Sequence, residues 1–127
     1  MADVGMTVTK FEMKSHDSPD EVRAPNKTRV EVVRLPGYTL ARLNFEPGWR
    51  WSQDVKPVAG TDLCMAPHQQ YQLSGHMHIV MSDGTELDTG PGEIISLPPG
   101  HDAWVVGEEQ VVAIDWQGAS VWAAQQA

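Results

Sequence analysis

Gly92-Glu93-Ile94-Ile95-Ser96-Leu97-Pro98-Pro99-Gly100 decides how this chain folds. Its middle is short and apolar, and turn residues close both ends: Pro91-Gly92 in front, Pro98-Pro99-Gly100 behind. A run of that length bounded by such turns reads as a strand. Proline presets φ at the turn, and glycine supplies the positive φ that a sharp reversal needs.

The same punctuation recurs on either side. Pro36-Gly37, Glu46-Pro47-Gly48, Ser74-Gly75 and Asp83-Gly84 bound further strand candidates over 29–35, 38–45, 68–73, 76–82 and 85–88. Beyond Gly100, 103–106 and 110–116 complete the set. Within 38–45, Leu43 and Phe45 alternate with polar neighbours, as one buried strand face requires. No segment before the tail has helical periodicity, although 120–126 could form one short turn. Many short strands joined by Gly/Pro turns imply an all-β sandwich or closed barrel. Residues 1–27 are polar and weakly periodic. They read as an N-terminal arm with one short strand near 8–13. The barrel is expected over 28–118, with a short C-terminal tail over 119–127.

Composition narrows the function classes. The 127 residues allow one domain with one core. Seventeen acidic against nine basic residues give a net charge of −8, and there is no basic run. Nucleic acid is therefore a poor partner, because duplex binding needs a basic surface to displace counterions. No run of about 18 apolar residues offers a membrane span, and the first residues lack the apolar core of a signal peptide. A soluble, cytoplasmic protein is expected. The single cysteine, Cys64, cannot form an internal disulfide and suits a reducing compartment. No phosphate loop, nucleophile elbow or paired-cysteine zinc ribbon is present, and no nucleotide cofactor is expected.

With the strands in this order, the chain resembles the cupins. That family carries two motifs, G-x5-H-x-H-x3-4-E-x6-G and G-x5-P-x-G-x2-H-x3-N. Gly92 to Gly100 fits the G-x5-P-x-G of the second residue for residue. Tyr71-Gln72-Leu73-Ser74-Gly75 is similar to the close of the first. Pro47-Gly48-Trp49-Arg50-Trp51-Ser52 and Pro98-Pro99-Gly100-His101-Asp102-Ala103-Trp104 resemble a bacterial cupin subgroup with the strings PGWRWS and PPGHDAW. The resemblance implies a double-stranded β-helix, the jelly-roll barrel, enclosing a small-molecule pocket. It also implies a homodimer, formed by exchange of the arm or by sheet packing.

Many cupins hold a divalent metal through three His and one Glu, and the resemblance places those positions here. Counting back from Gly75 puts the Glu at His68 and the two His at Asp62 and Cys64. The second motif's His falls at Ala103, with His101 two residues earlier. Oxygen, thiolate and imidazole are all metal ligands, so Cys64, His68 and His101, with or without Asp62, form the candidate set. Alternation on a strand would let Asp62 and Cys64 converge. Whether His101 shares that face depends on the turn at Gly100. Such a mixed set favours Zn²⁺, with Fe²⁺ or Ni²⁺ as alternatives. Equally, substitution at the expected ligand positions is what loss of a metal site looks like.

Other pocket candidates follow from strand parity. If His68 faces inward, Gln70 and Gln72 do too, and their amides suit a polar ligand. If the opposite face is core, Tyr71 and Leu73 take their place. Trp51 and Trp104 serve either packing or a stacking wall for a planar ligand. Asp102 could orient the His101 imidazole. His76 and His78 mimic the first motif's His pair. Their position after Gly75, and the apolar alternation of Met77, Ile79 and Met81, turn them outward. Three functions stay open, the first two being a metal-dependent enzyme acting on a small polar metabolite and a metal-free module that binds or senses one. A scaffold role for the tryptophans is the third.

Overall fold

A computed structural model describes residues 8–118. Among the described residues nine strands, all paired antiparallel, form two facing sheets. In chain order the elements are β1 (Glu21–Arg23), β2 (Thr28–Leu35), β3 (Tyr38–Phe45), α1 (Trp51–Asp54), α2 (Lys56–Ala59) and β4 (His68–Ser74). Then follow β5 (His76–Met81), β6 (Glu86–Thr89), β7 (Ile94–Leu97), β8 (His101–Val106) and β9 (Val111–Asp115). The larger sheet runs β1-β2-β3-β9-β4-β7 and the smaller β6-β5-β8. This is the expected all-β jelly roll. Among the described residues, no helix is long and apolar enough to cross a membrane.

The core lies between the sheets and follows strand parity. Val30, Val32, Leu43 and Phe45 face inward from β2 and β3, and Met77, Ile79, Ala103 and Val105 meet them from β5 and β8. Gly75 shows why glycine closes β4. It has φ +74°, and a Cβ there would lie 2.7 Å from the Gln110 carbonyl oxygen. No side chain fits that crossing of β4 and β9.

Two local readings need correction. Residues 8–13 form no strand: Val8, Phe11 and Met13 are exposed. The arm's strand is β1, where Asp20 bonds the sheet twice. Its N–H donates to the Val32 carbonyl at 2.9 Å, and its carboxylate accepts from the Arg34 N–H at 2.7 Å. The stretch between β3 and β4 also holds two helical turns where no helix was expected. Each is one turn long, too short to show periodicity. Pro57 stands in the first turn of α2 and Gly60, in the left-handed region, ends it. The tail over 119–127, with its expected helical turn, lies outside the described residues.

Candidate metal centre

The centre is built by one short backbone crossing. Cys64 lies outside any strand, but it forms an isolated antiparallel bridge with His101, the first residue of β8. The Cys64 N–H donates to the His101 carbonyl at 2.8 Å, and the Gly100 N–H donates to the Cys64 carbonyl at 2.7 Å. Residues opposite each other in such a bridge point to the same side. His68 arrives from the start of β4, where inward parity also takes Gln70 and Gln72. Cys64, His68 and His101 are all buried, and one ligand atom from each lies within 4.8 Å of the others. The Cys64 Sγ is 3.7 Å from His68 Nε2.

Both imidazoles are oriented from behind. His68 Nδ1–H donates to Asp115 Oδ2 at 2.6 Å, and His101 Nδ1–H donates to the Pro98 carbonyl at 2.8 Å. Neither acceptor can donate, so each Nδ1 carries the proton and each neutral ring keeps its lone pair on Nε2. Asp115 is itself fixed. Its Oδ1 accepts from the Gln117 N–H at 2.9 Å and the Gly118 N–H at 3.2 Å. Gly118 has no room for a side chain, since a Cβ would collide with the Pro67 carbonyl.

Electrostatics bind the cluster together. At Cys64 burial raises the thiol, but hydrogen bonds to His101 and His68 outweigh it and bring it down to about 6. At His68 burial lowers the imidazole, but bonds to Asp115 and Cys64 outweigh it and lift it to about 9.

The donor set fits one divalent cation. Metal bonds of about 2.3 Å to sulfur and 2.0 Å to nitrogen in tetrahedral geometry separate the two donors by about 3.5 Å. That matches the 3.7 Å between Cys64 Sγ and His68 Nε2. Carboxylate and carbonyl acceptors behind the ligating rings are the usual support of a metal site. Three protein ligands would leave one tetrahedral position open.

A pocket lies against the two imidazoles. Leu43, Phe45, Trp49, Trp51, Met77 and Ile79 make most of its wall, and His68, Gln70 and His101 are its polar members. Its volume is about 330 Å³ including the mouth, of which about 20 Å³ admits the centre of a water molecule. Trp49 is stacked on Phe45 at 4.0 Å and donates its indole N–H to Thr28 Oγ1 at 2.9 Å.

The other expected residues fall elsewhere. Asp62 does not reach the centre: its side chain is fully exposed and pairs with Lys56 at 3.5 Å. Residues 61–63 are bends after the Gly60 turn, so the alternation that would align Asp62 with Cys64 does not exist. Gln72 points inward, but Gly75 and Thr89 hold its amide at 2.8 and 2.7 Å. Tyr71 faces outward. Trp104 also faces outward, beneath the Arg50 guanidinium at 3.9 Å and beside His78. Asp102 does not orient His101; it accepts from the Ser52 N–H at 3.1 Å and faces Arg50 at 3.5 Å. The residue missed was Asp115. The signal for it was an acid at an inward position of β9, in step with Val111 and Ala113.

No protein-family model matches the chain, and no curated protein matches it. Solved structures do. A protein of unknown function from Rhizobium leguminosarum bv. viciae 3841 is 20% identical over 85% of this chain and 96% of that one, with a TM-score of 0.61. The polyketide cyclase RemF from Streptomyces resistomycificus is 18% identical over 84% and 80%, at 0.55. Oxalate decarboxylase from Bacillus subtilis is 19% identical over 78% of this chain but only 27% of that one, at 0.53. At these identities the likeness is one of fold.

Proposed function

We propose that this chain, a cupin by fold, is a metal-dependent enzyme whose Cys64, His68 and His101 hold one divalent cation. Zinc is the first candidate, with iron or nickel as alternatives. One observation carries the reading: both buried imidazoles have Nδ1 engaged by an acceptor, which turns both Nε2 atoms toward the point that Cys64 Sγ also faces. Two solved structures of the same fold are named as enzymes, a polyketide cyclase and an oxalate decarboxylase.

When bound, the cation would supply Lewis acidity and lower the pKa of a coordinated water. The chain's own residues prepare the site. Asp115 holds the Nδ1 proton of His68 and compensates positive charge at the centre. The Pro98 carbonyl does the same for His101 without adding charge. The Cys64–His101 bridge fixes two donors from distant segments by backbone alone. The apolar wall limits water and strengthens each electrostatic interaction inside. A direct thiol chemistry at Cys64 is less well supported, because its sulfur does not line the pocket although both imidazoles do.

Metal analysis of protein expressed with zinc, iron and nickel supplements tests the reading. About one equivalent is expected in the wild type and none in a Cys64→Ala/His68→Ala double variant. Folded wild-type protein that carries no stoichiometric metal would overturn it and leave a metal-free binding module.

A further inference from the structure

Gln70 and Gln72 stand two residues apart on β4 and point into the same interior. Their amides are treated very differently. Gln72 donates to the Gly75 carbonyl and accepts from the Thr89 hydroxyl, so it joins β4 to its neighbours. Gln70 is 4% exposed and lines the pocket beside His68 and His101, yet its side chain bonds no described residue. No fully enclosed polar side-chain atom among the described residues lacks a partner. The Gln70 amide must therefore open onto the pocket space. Burying an amide without a protein partner is costly, and leucine would fill the volume more cheaply. A residue that opposes stability in this way is best explained by what it binds.

The rest of the wall defines the complement. Among the described residues, no lysine or arginine lines the pocket. Arg50 lies over Trp104 and Lys56 pairs with Asp62, both away from it. A carboxylate or phosphate extending from the centre would meet aromatic and aliphatic carbon with no counter-charge. An amide offers two donors and one acceptor, and suits an uncharged carbonyl, amide or hydroxyl. The free space holds only about one or two waters, which restricts the molecule to a few heavy atoms.

We infer that Gln70 is the specificity-determining residue of this pocket, and that the substrate is a small uncharged molecule with one carbonyl, amide or hydroxyl group for the Gln70 amide. The inference rests on the metal centre only for where the reacting end of that molecule sits.

Acetamide and acetate, matched in size, are the probes. Cobalt-loaded protein reports ligand entry through its visible bands, and melting temperature reports binding without metal. Acetamide should shift the bands of the wild type saturably, and about tenfold more should be needed in Gln70→Leu. In the metal-free protein, acetate should raise the melting temperature less than acetamide does and be indifferent to the substitution. Gln70→Leu should take up cobalt normally and melt no lower than the wild type. Normal cobalt spectra with equal acetamide responses in the two proteins would overturn the role of Gln70 while sparing the metal centre. Tighter binding of acetate than of acetamide to the metal-free protein would overturn the substrate class. No cobalt uptake, but a rise in melting temperature with acetamide that needs Gln70, would overturn the metal centre and support Gln70. Neither cobalt uptake nor any acetamide effect would overturn both.

Discussion

His68 and His78 are both held by carboxylates, and only one of them can bind a metal. His68 is held by one carboxylate, Asp115, and both are almost fully buried. His78 has two, Asp88 at 2.7 Å on Nδ1 and Glu86 at 2.5 Å on Nε2, and those acids are exposed. The second carboxylate uses the lone pair that a metal would need. A histidine oriented by one buried carboxylate turns its other nitrogen toward the Cys64 thiol, the arrangement a shared metal would need. A histidine with a carboxylate on each nitrogen has both nitrogens engaged in a surface network. The H-x-H of β5 looks more like a metal motif than Cys64-x3-His68 does, yet both the fold and the bonding remove His78 from that role.

The comparison breaks first at the ligand itself. His68→Ala should weaken zinc binding more than about a hundredfold, and His78→Ala should leave it unchanged. Competition with a chromophoric chelator measures both. Equal losses would mean that zinc binds on the surface. The acids follow. Asp115→Ala should cost about 3 kcal/mol in denaturant unfolding of the metal-free protein, because it leaves His68 buried without its partner. Asp115→Asn, which keeps an acceptor in place, should lower zinc affinity about 10- to 100-fold. Asp88→Asn should change neither quantity measurably.

The two nearby glycines sharpen the contrast at smaller scale. A Cβ on Gly118 would strike the Pro67 carbonyl and lie 3.2 Å from His68 Nδ1 and 3.3 Å from Asp115 Oδ2. A Cβ on Gly90 would meet only the movable ring of His76, at 3.1 Å, and the Glu93 carboxylate. Gly118→Ala should therefore destabilise by about 1–3 kcal/mol and weaken zinc binding, since backbone has to move. Gly90→Ala should do neither.

Strand parity carried the reading of the barrel and half of the centre. The alternation of β4 and the turns around Gly92 and Gly100 were visible in residue types alone. They placed His68 and Gln70 together on one face. They could not say that Gln72 would be occupied by Thr89, from β6, because that pairing depends on how the sheets close. Asp62 was misplaced because parity was extended beyond a strand, through the bends after Gly60. His101 was undecided for the same reason, and the Cys64 bridge settled its direction. Asp115 is separated from His68 by 47 residues, and only the β4–β9 pairing brings them together. Long-range partners of this kind leave a trace in sequence only as a polar residue at an apolar position.

The smallest expected effect is the pH response of His78. Its bonds to Asp88 and Glu86 raise its imidazole above the ordinary value of 6.5. The contribution to stability is therefore fully present below the unfolded-state value and is lost as pH rises through the higher folded-state value. Wild type should exceed His78→Gln in stability at about pH 5.5, and the difference should vanish by about pH 9. It should also shrink with added salt, because the acids are solvent-exposed and the interaction is screened. A proton NMR titration of the His78 ring should give a midpoint above 6.5. A midpoint at or below that value would show that the two carboxylates do not hold the ring in solution, and would return a free nitrogen to His78. The distinction between the two histidines would then rest on burial alone.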